Sequence, residues 1–209
     1  NLRTDKRDEA MEEIVAKTVA AFMNSAGGTL LLGVDDGGNL IVEVDEYDEV
    51  AADPVAAKYL RPFKGSRELV RGLDRWCLWL ADGFDAADLE KSPVLRERIS
   101  AVRDVRAASK RQATADLART PHLFGEIRQP ETDYLCIPKV VSEARPYLTA
   151  ERLEPNVIAS DLAFHVQDSD GFLFALVSSS MFIAWQRTVG GRLKSDLRFS
   201  GTLVWNTFP

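Results

Sequence analysis

Apolar residues recur every three to four positions between residues 8 and 24, and this spacing predicts an amphipathic helix. A Gly-Gly pair then ends the helical pattern. Two short β-prone runs, at 29–34 and 40–44, flank the turn-forming segment 35–39. Residues that tolerate positive φ between two such runs predict a β-hairpin. The N-terminal part of the chain therefore predicts a helix followed by a hairpin.

The remainder of the chain alternates short apolar runs with helical patterns. Strands are predicted at Arg75–Leu80, Tyr134–Val141, Val157–Ser160 and Phe172–Val177. Helices are predicted from Asp53 to Leu60, from Ser92 to about Leu117, and from Ser178 to Thr188. A proline inside the second strand run predicts an edge strand or a bulge. These elements predict an α+β fold with a mixed sheet and a long basic helix, preceded by the helix and hairpin.

Composition is that of an ordinary globular protein, with 45% hydrophobic and 28% charged residues in a chain of 209. The net charge of -6 and the pI near 5.1 argue against binding of nucleic acid by bulk electrostatics. The charges are unevenly distributed, however. Acidic residues concentrate between 35 and 53, whereas basic residues recur at 58–75, 96–119 and 187–198. A chain that is acidic overall can therefore still present one positive face.

Several features bear on location and on the interior. No apolar run is long enough to span a membrane and the N-terminus lacks a signal-peptide pattern, so we expect a cytoplasmic protein without a membrane partner. Cys77 and Cys136 lie in apolar runs, and we expect both to be buried and reduced. We expect Trp76 and Trp79 to belong to the core instead of stacking on bases, and His122 to have a packing or capping role.

Sequence patterns for catalysis are absent. Ser178–Ser180 has neither a nucleophile elbow nor a nearby histidine base, and the Gly-Gly pair at 27–28 lacks the lysine of a P-loop. Two cysteines and two distant histidines cannot form a closed zinc site. The chain also lacks the Asn/Asp-Pro-Pro-Tyr/Phe motif that holds a flipped adenine and a PD…ExK cluster for DNA cleavage. We therefore expect no catalytic, cofactor-binding or metal-binding residues here.

The segment Gly190–Ser200 alternates long polar side chains with apolar ones. If the segment is extended, Lys194, Asp196 and Arg198 leave it on one face, because they are two residues apart. A lysine donates to O6 and N7 of guanine and a carboxylate accepts from N4 of cytosine, so Lys194 and Asp196 together can read one G·C base pair in the major groove. These residues alone leave a second interpretation equally open: an exposed strand edge with a weak surface ion pair.

Other basic and polar side chains are candidates for contacts to the DNA backbone. The long basic helix is expected to carry Arg96, Arg103, Arg106, Lys110 and Arg111 on its surface, where it either lies against phosphates or is a solvated structural helix. Polar residues that follow a strand end often contact a ligand or a duplex. The backbone-contact candidates are Lys110, Ser142, Arg145, Arg187 and Arg192.

The helix and hairpin pattern at residues 18–38 includes Asn24-Ser25-Ala26-Gly27-Gly28-Thr29 and Gly33-Val34-Asp35-Asp36-Gly37-Gly38. It resembles the opening of the Schlafen/AlbA-type DNA-binding domain. The remainder of such a domain is missing, so we interpret 1–47 as a partial, appended domain without a site residue. The main domain is then expected at 53–209.

Sequence features that carry a second resemblance are spread over the main domain. They are Ala56-Ala57-Lys58-Tyr59-Leu60-Arg61-Pro62-Phe63, Arg75-Trp76-Cys77-Leu78-Trp79-Leu80, Val102-Arg103 with Ala108-Ser109-Lys110, Thr120-Pro121-His122-Leu123-Phe124, Ile137-Pro138 with Ser142-Glu143-Arg145, Val157-Ile158-Ala159-Ser160, Gly191-Arg192-Leu193-Lys194-Ser195-Asp196, and Asn206-Thr207-Phe208-Pro209. This region resembles the target-recognition domain of MmeI-like type II restriction-modification enzymes. Those enzymes combine a nuclease, an adenine methyltransferase and a DNA-reading domain in one chain.

The second resemblance implies binding of double-stranded DNA at a short, asymmetric sequence. Positions after Gly191-Arg192-Leu193 are base readers in that family, which implies that Lys194 and Asp196 read a G·C pair and that Arg198 reads another base. It implies S-adenosylmethionine and Mg²⁺ for the parent enzymes but no cofactor in this chain, methyltransferase or nuclease domains or subunits as partners, and a bacterial cytoplasm. We thus expect a non-catalytic DNA-binding domain. The alternatives are a methyltransferase subunit that needs a catalytic partner, and a degenerate interaction remnant.

Overall fold

The computed structural model of the chain describes residues 39–209. The described residues form two compact units, the first from 39–60 and 78–125 and the second from 61–77 and 126–209. The predicted N-terminal helix and the first strand of the predicted hairpin lie outside the described residues. The partial domain expected at 1–47 is consequently described only in its last residues.

Helices and short strands alternate along the described chain. The helices are α1 Tyr47–Ala52, α2 Ser66–Arg71, α3 Asp88–Lys91, α4 Pro93–Ala107, α5 Gln112–Asp116, α6 Phe172–Val177 and α7 Ser180–Val189, with 3₁₀ turns at Ala56–Tyr59 and Leu117–Arg119 and a π-helical turn at Gly201–Trp205. The strands are β1 Ile41–Val42, β2 Leu60–Lys64, β3 Trp76–Leu78, β4 Tyr134–Pro138, β5 Val140–Val141, β6 Glu151–Leu153, β7 Ile158–Ala159, β8 Ala163–Gln167, β9 Gly191–Leu193 and β10 Asp196–Arg198. This mixture confirms the predicted α+β class.

Helix α4, in the first unit, begins where the sequence predicts a helix. Pro93 occupies its first turn, where a missing N–H costs nothing, and the Ser92 hydroxyl accepts a hydrogen bond of 3.0 Å from the Leu95 N–H. Leu95, Ile99 and Val102 are buried at spacings of four and three, as an apolar helix face requires. The pattern therefore predicted both the start and the inner face of this helix correctly.

The expectation of one helix as far as Leu117 is wrong, because α4 ends at Ala107. The Ser109 hydroxyl accepts a hydrogen bond of 3.2 Å from the Arg111 N–H, and Arg111 has an extended backbone before α5 begins. A serine that bonds to the nearby backbone competes with the helical hydrogen bonds of that segment. The basic segment is consequently divided into two shorter helices.

The second unit contains two three-stranded antiparallel sheets, ordered β6-β4-β8 and β5-β10-β9. A parallel pair, β2 with β7, accompanies them. The chain leaves the first sheet after Pro138 and enters the second at Val140, so the proline does mark an interruption. The expectation of an edge strand is wrong, because β4 is the central strand of its sheet. Pro138 is tolerated there because it is the last residue of the strand.

The expected strand at Phe172–Val177 is in fact helix α6. The buried carboxylate of Asp168 accepts hydrogen bonds of 3.0 Å from the N–H groups of both Leu173 and Phe174. Gly171 precedes the helix with φ of 79°, a conformation that glycine adopts freely. A carboxylate that satisfies two free N–H groups stabilises a helix start. This local cap overrides the β preference of the aromatic and branched residues.

Helix α7 confirms the helix predicted at 178–188 and joins the core beneath the second sheet. The Ser179 hydroxyl caps it by accepting a hydrogen bond of 3.1 Å from the Phe182 N–H. Phe182 and Ile183 are buried in one cluster with Leu197 and Phe199 from the C-terminal segment. The rings of Phe182 and Phe199 stack with centroids 6.4 Å apart. This core fixes the position of β10.

Predicted interior residues lie inside the protein. Cys77 and Cys136 are buried, and burial raises the pKa of both thiols, that of Cys136 to about 12. Trp79 is 4% exposed. His122 stacks on Phe84 with ring centroids 4.9 Å apart. The packing roles expected for these residues are confirmed.

Candidate nucleic-acid interface

Strands β9 and β10 form a hairpin whose two-residue loop is Lys194-Ser195. Asp196 pairs with Leu193 at the loop end, and Arg198 pairs with Gly191 at the base. On its other side β10 pairs with β5, where Leu197 lies opposite Val141. All three residues of β9 are exposed. The hairpin is therefore anchored through β10 and open to solvent along β9.

Lys194 lies in the loop and not in the strand, which corrects the expectation that three polar residues share one strand face. Its φ is 56°, and it is the sole non-glycine residue with a positive φ among residues 39–209. The left-handed region costs an ordinary residue roughly 1 kcal/mol. Two-residue hairpin loops require a positive φ at their first position, so the turn accounts for this conformation and places Lys194 at the hairpin tip.

Asp196 and Arg198 do share a face of β10, as their spacing predicts. Between and after them Leu197 is 0% exposed and Phe199 is 5% exposed, and both pack into the core. Alternation along a strand directs the two polar side chains away from that core. Arg198 is exposed and Asp196 is half-buried. Two of the three side chains, those of Asp196 and Arg198, thus lie on one outward face, as expected.

The side-chain heads of the three candidate base readers are not engaged within the described part of the chain. No ion pair or side-chain hydrogen bond within residues 39–209 involves Lys194, Asp196 or Arg198. No ion pair therefore joins these three charges to one another, although Arg192 of the same exposed segment is paired with Glu143. All three heads remain available to an external partner.

Arg192, a backbone-contact candidate, braces the hairpin loop. Its Nη1 donates to the carboxylate of Glu143 and, over 2.9 Å, to the Ser195 carbonyl. The Ser195 carbonyl belongs to the hairpin loop itself, and Glu143 lies in the segment after β5. One guanidinium thus connects the loop to a second segment and retains further N–H donors.

Arg187 and Arg145 also bind protein carbonyls. Arg187 Nη2 donates to the carbonyls of Glu143 (3.2 Å) and Arg145 (2.9 Å), and Arg145 Nη2 donates to that of Val70 over 2.9 Å. These bonds hold the segment after β5 against α7 and α2. Ser142 in the same segment is exposed, and its hydroxyl accepts from the Ala144 N–H. The segment beside the hairpin is thereby held in place by three residues that were predicted to contact phosphates: Ser142, Arg145 and Arg187.

Lys110 and Arg106 differ in a way that the sequence did not reveal. Lys110 is exposed in the break between α4 and α5, as a phosphate contact requires. Arg106, expected on the same surface, is 0% exposed. Its guanidinium donates to the carbonyls of Leu117, Thr120 and Leu123 over 2.7 to 3.1 Å. Arg106 is a structural residue of the first unit.

Sequence reasoning missed Gln186 and Gly190, which lie beneath the hairpin. Gln186 is 0% exposed on the same face of α7 as Phe182 and Ile183, and its Nε2 donates to the Arg198 carbonyl over 3.0 Å. A signal was available: a glutamine at helical spacing after two buried residues, followed four residues later by glycine. A polar residue at an inward-facing position implies a buried hydrogen bond.

Residues 14–209 match the family model of the MmeI target recognition domain. The chain belongs to this family. DNA methyltransferase A of Bacillus subtilis (strain 168) is 34% identical over 176 residues, which cover 84% of this chain and 20% of that protein. The structure of the type IIL restriction-modification enzyme MmeI in complex with DNA is similar with a TM-score of 0.76 and 39% identity, over 84% of this chain and 23% of that one.

Membership in the MmeI target recognition family confirms the second resemblance drawn from the sequence. The family match begins at residue 14, and so includes much of the segment that resembles the Schlafen/AlbA-type domain. The chain spans about a fifth of the length of the relatives it matches. Within residues 39–209, no helix is long and apolar enough to cross a membrane, and no group of three or more histidine, cysteine or acidic side chains is arranged to hold a metal ion.

Proposed function

We propose that this target recognition domain binds double-stranded DNA and reads part of a short sequence with the tip and outer face of the β9–β10 hairpin. The observation that supports this most directly is the set of three disengaged polar heads, Lys194, Asp196 and Arg198, on a hairpin whose backbone is anchored in the core. A two-stranded ribbon fits the major groove of B-DNA, which is about 12 Å wide.

The hydrogen-bonding groups of the three side chains match donors and acceptors on base edges. In the proposed complex the Lys194 ammonium donates to guanine O6 and N7, and the Asp196 carboxylate accepts from the N4 amine of the paired cytosine. Arg198 donates to a second base. A carboxylate would be repelled by phosphates, so the outward-facing, half-buried position of Asp196 on this hairpin favours base reading over simple backbone binding.

Contacts to phosphates are proposed for Lys110, Ser142, Arg145, Arg187 and Arg192. The arginines among them already bind carbonyls or Glu143, yet each guanidinium has five N–H donors, so one group can both brace the protein and bind a phosphate. Such contacts set the register of the domain on the duplex without specifying sequence.

We further propose that the chain acts together with methyltransferase and nuclease parts, which use S-adenosylmethionine and Mg²⁺, of a bacterial restriction-modification enzyme. The support is the similarity to DNA methyltransferase A and to the restriction-modification enzyme MmeI, of which the chain matches about a fifth. An assay of this chain with duplex DNA and labelled S-adenosylmethionine tests whether the chain transfers methyl groups without those parts. We expect no methyl transfer, and transfer by the chain alone would instead show an enzyme.

The base-reading proposal is tested by combining Lys194→Glu with Asp196→Arg. The exchange inverts the donor and acceptor pattern, so selection of duplexes from a random pool should show a changed preferred base at one position with similar overall affinity. The matched control exchanges the exposed ion pair of Glu126 and Arg128 in the same unit, which should leave the selected sequence unchanged. An identical preferred sequence for the hairpin double variant and the wild type would contradict the assignment.

A further inference from the structure

The base of the β9–β10 hairpin contacts a buried amide, in addition to the pairing of β10 with β5. Gln186 is 0% exposed in a cluster of apolar side chains, and its Nε2 donates to the Arg198 carbonyl over 3.0 Å. Burial of an amide in such surroundings is unfavourable unless its polar atoms find partners. Its Oε1 has no hydrogen-bond partner among the described residues. Among the described residues, the one hydrogen bond of this side chain therefore goes to the backbone of β10.

The backbone of the same residue also takes part where α7 ends and the hairpin begins. The Gly190 N–H donates to the Gln186 carbonyl over 3.0 Å, which ends α7 immediately before β9. A Cβ on residue 190 would collide with the amide nitrogen and the carbonyl of Gln186 and lie 2.9 Å from its Cδ. Gly190 has an ordinary φ of -72°. Glycine is therefore required by space and not by backbone conformation.

Together these contacts fix both ends of the hairpin to one residue of α7. Gln186 contacts Gly190, which leads into β9, and binds Arg198, which ends β10. The side chain of Arg198 leaves from the residue whose carbonyl is held, and Asp196 lies two residues earlier on the same face. A shift of this backbone would move both polar heads relative to a base edge, where hydrogen bonding is sensitive to small displacements.

We propose that Gln186 is a positioning residue for DNA recognition, which sets the register of the β9–β10 hairpin on the duplex without itself touching DNA. This inference rests on the proposed reading of bases by the hairpin. Its consequence is that Gln186 determines the selectivity of the domain among sequences, whereas the affinity for DNA in general depends on the exposed cations.

The test is Gln186→Met, which keeps the length of the side chain and removes the donor to Arg198. We expect a folded protein in which the ratio of affinities for the selected duplex and a random duplex falls at least fivefold. Affinity for the random duplex and its salt dependence should stay unchanged, because phosphate contacts are sequence-independent. The measurements are duplex selection, titration of both duplexes and urea unfolding of the full chain.

The matched control is Val177→Ala, a buried residue of the same core that belongs to α6. It should lower stability without changing the affinity ratio, since it leaves the Gln186 contacts in place. An equal loss of selectivity in both variants would show that selectivity follows stability, and would overturn the positioning role. An unchanged ratio in Gln186→Met would overturn it as well.

Gly190→Ala disturbs the contact between Gln186 and residue 190 from the side of the partly exposed glycine. Its methyl group should displace the hairpin and lower the affinity ratio as Gln186→Met does. If both variants fail to fold, Gln186 and Gly190 are requirements of the fold and the proposal is overturned. A wild-type chain that selects no sequence would instead refute the proposed base reading, so the two failures are distinguishable.

Discussion

Helix α4 and the β9–β10 hairpin both carry arginines in basic stretches of the sequence, but they use them in opposite ways. Arg106 at the end of α4 is fully buried and donates to three backbone carbonyls. At the end of β10, Arg198 has its carbonyl held by Gln186 while its guanidinium is exposed and disengaged within residues 39–209. One arginine organises the protein, and the other is available to a partner.

This difference shows that a count of basic residues overestimates the surface available to DNA. The carbonyls of Leu117 and Thr120 each accept a backbone N–H in addition to the Arg106 guanidinium, which supplies several donors in a fixed geometry. A buried arginine that binds carbonyls therefore connects the end of α4 to the turns at 117–123 through one side chain. Its charge contributes to the apparent basic character of the segment but is not presented at the surface.

The contrast between the buried Arg106 and the exposed Arg198 would be refuted most clearly if the loss of the Arg106 side chain did not destabilise the protein. Arg106→Met removes three hydrogen bonds from a buried guanidinium to the carbonyls of Leu117, Thr120 and Leu123, and a hydrogen bond to a charged group contributes about 1.5–3 kcal/mol. We expect the free energy of unfolding to fall by roughly 2–3 kcal/mol in urea titrations. Arg103→Met, on the exposed side of α4, should change it by less than about 0.5 kcal/mol. Equal effects of the two substitutions would remove the distinction.

For the hairpin, Lys194→Gly tests whether the Lys194 side chain serves base reading or supports the fold. Glycine accepts the positive φ of this position, so the free energy of unfolding should rise or stay within about 1 kcal/mol of the wild type. Selection from a random pool should at the same time lose the base preference at one position. Lys194→Val should instead destabilise the protein by about 1–2 kcal/mol. A loss of stability with glycine would show that the lysine side chain supports the fold.

The smallest expected effect is a pH dependence near Arg106. Burial, and then the positive charge of Arg106, lower the pKa of His122 below its ordinary value. The unfolded chain, with a histidine pKa of about 6.5, binds the proton more readily, so this histidine lowers the free energy of unfolding as the pH falls below about 6.5.

Urea unfolding at pH 7 and pH 5.5 measures this contribution to stability. His122→Gln should reduce the difference between the two pH values, and the contribution of His165, whose pKa is also lowered by burial, should remain. An unchanged difference would place the pH dependence elsewhere. No histidine lies in the segment 190–200, so selectivity that depends on the hairpin should change little over the same range.

Local patterns predicted those elements whose stabilising contacts are local. The start of α4 followed from Ser92 and Pro93, and α7 followed from its apolar spacing. Helix α6 was mistaken for a strand because its aromatic and branched residues are β-prone, although the Asp168 carboxylate that caps it lies only four residues before the run. The central position of β4 could not be read from its proline, because strand order depends on partners 15 to 33 residues away along the chain.

The amino-acid sequence by itself determined the family, the α+β class and the alternating polar segment near the C-terminus, because these depend on residue types at short, regular spacing. The tertiary structure decided which charges are available. Burial of Arg106 and of the Gln186 amide beneath β10 arises from contacts with segments 11 to 17 residues away along the chain. Whether a polar side chain binds the protein or faces outward depends on such contacts, since a buried polar group must find partners inside the fold.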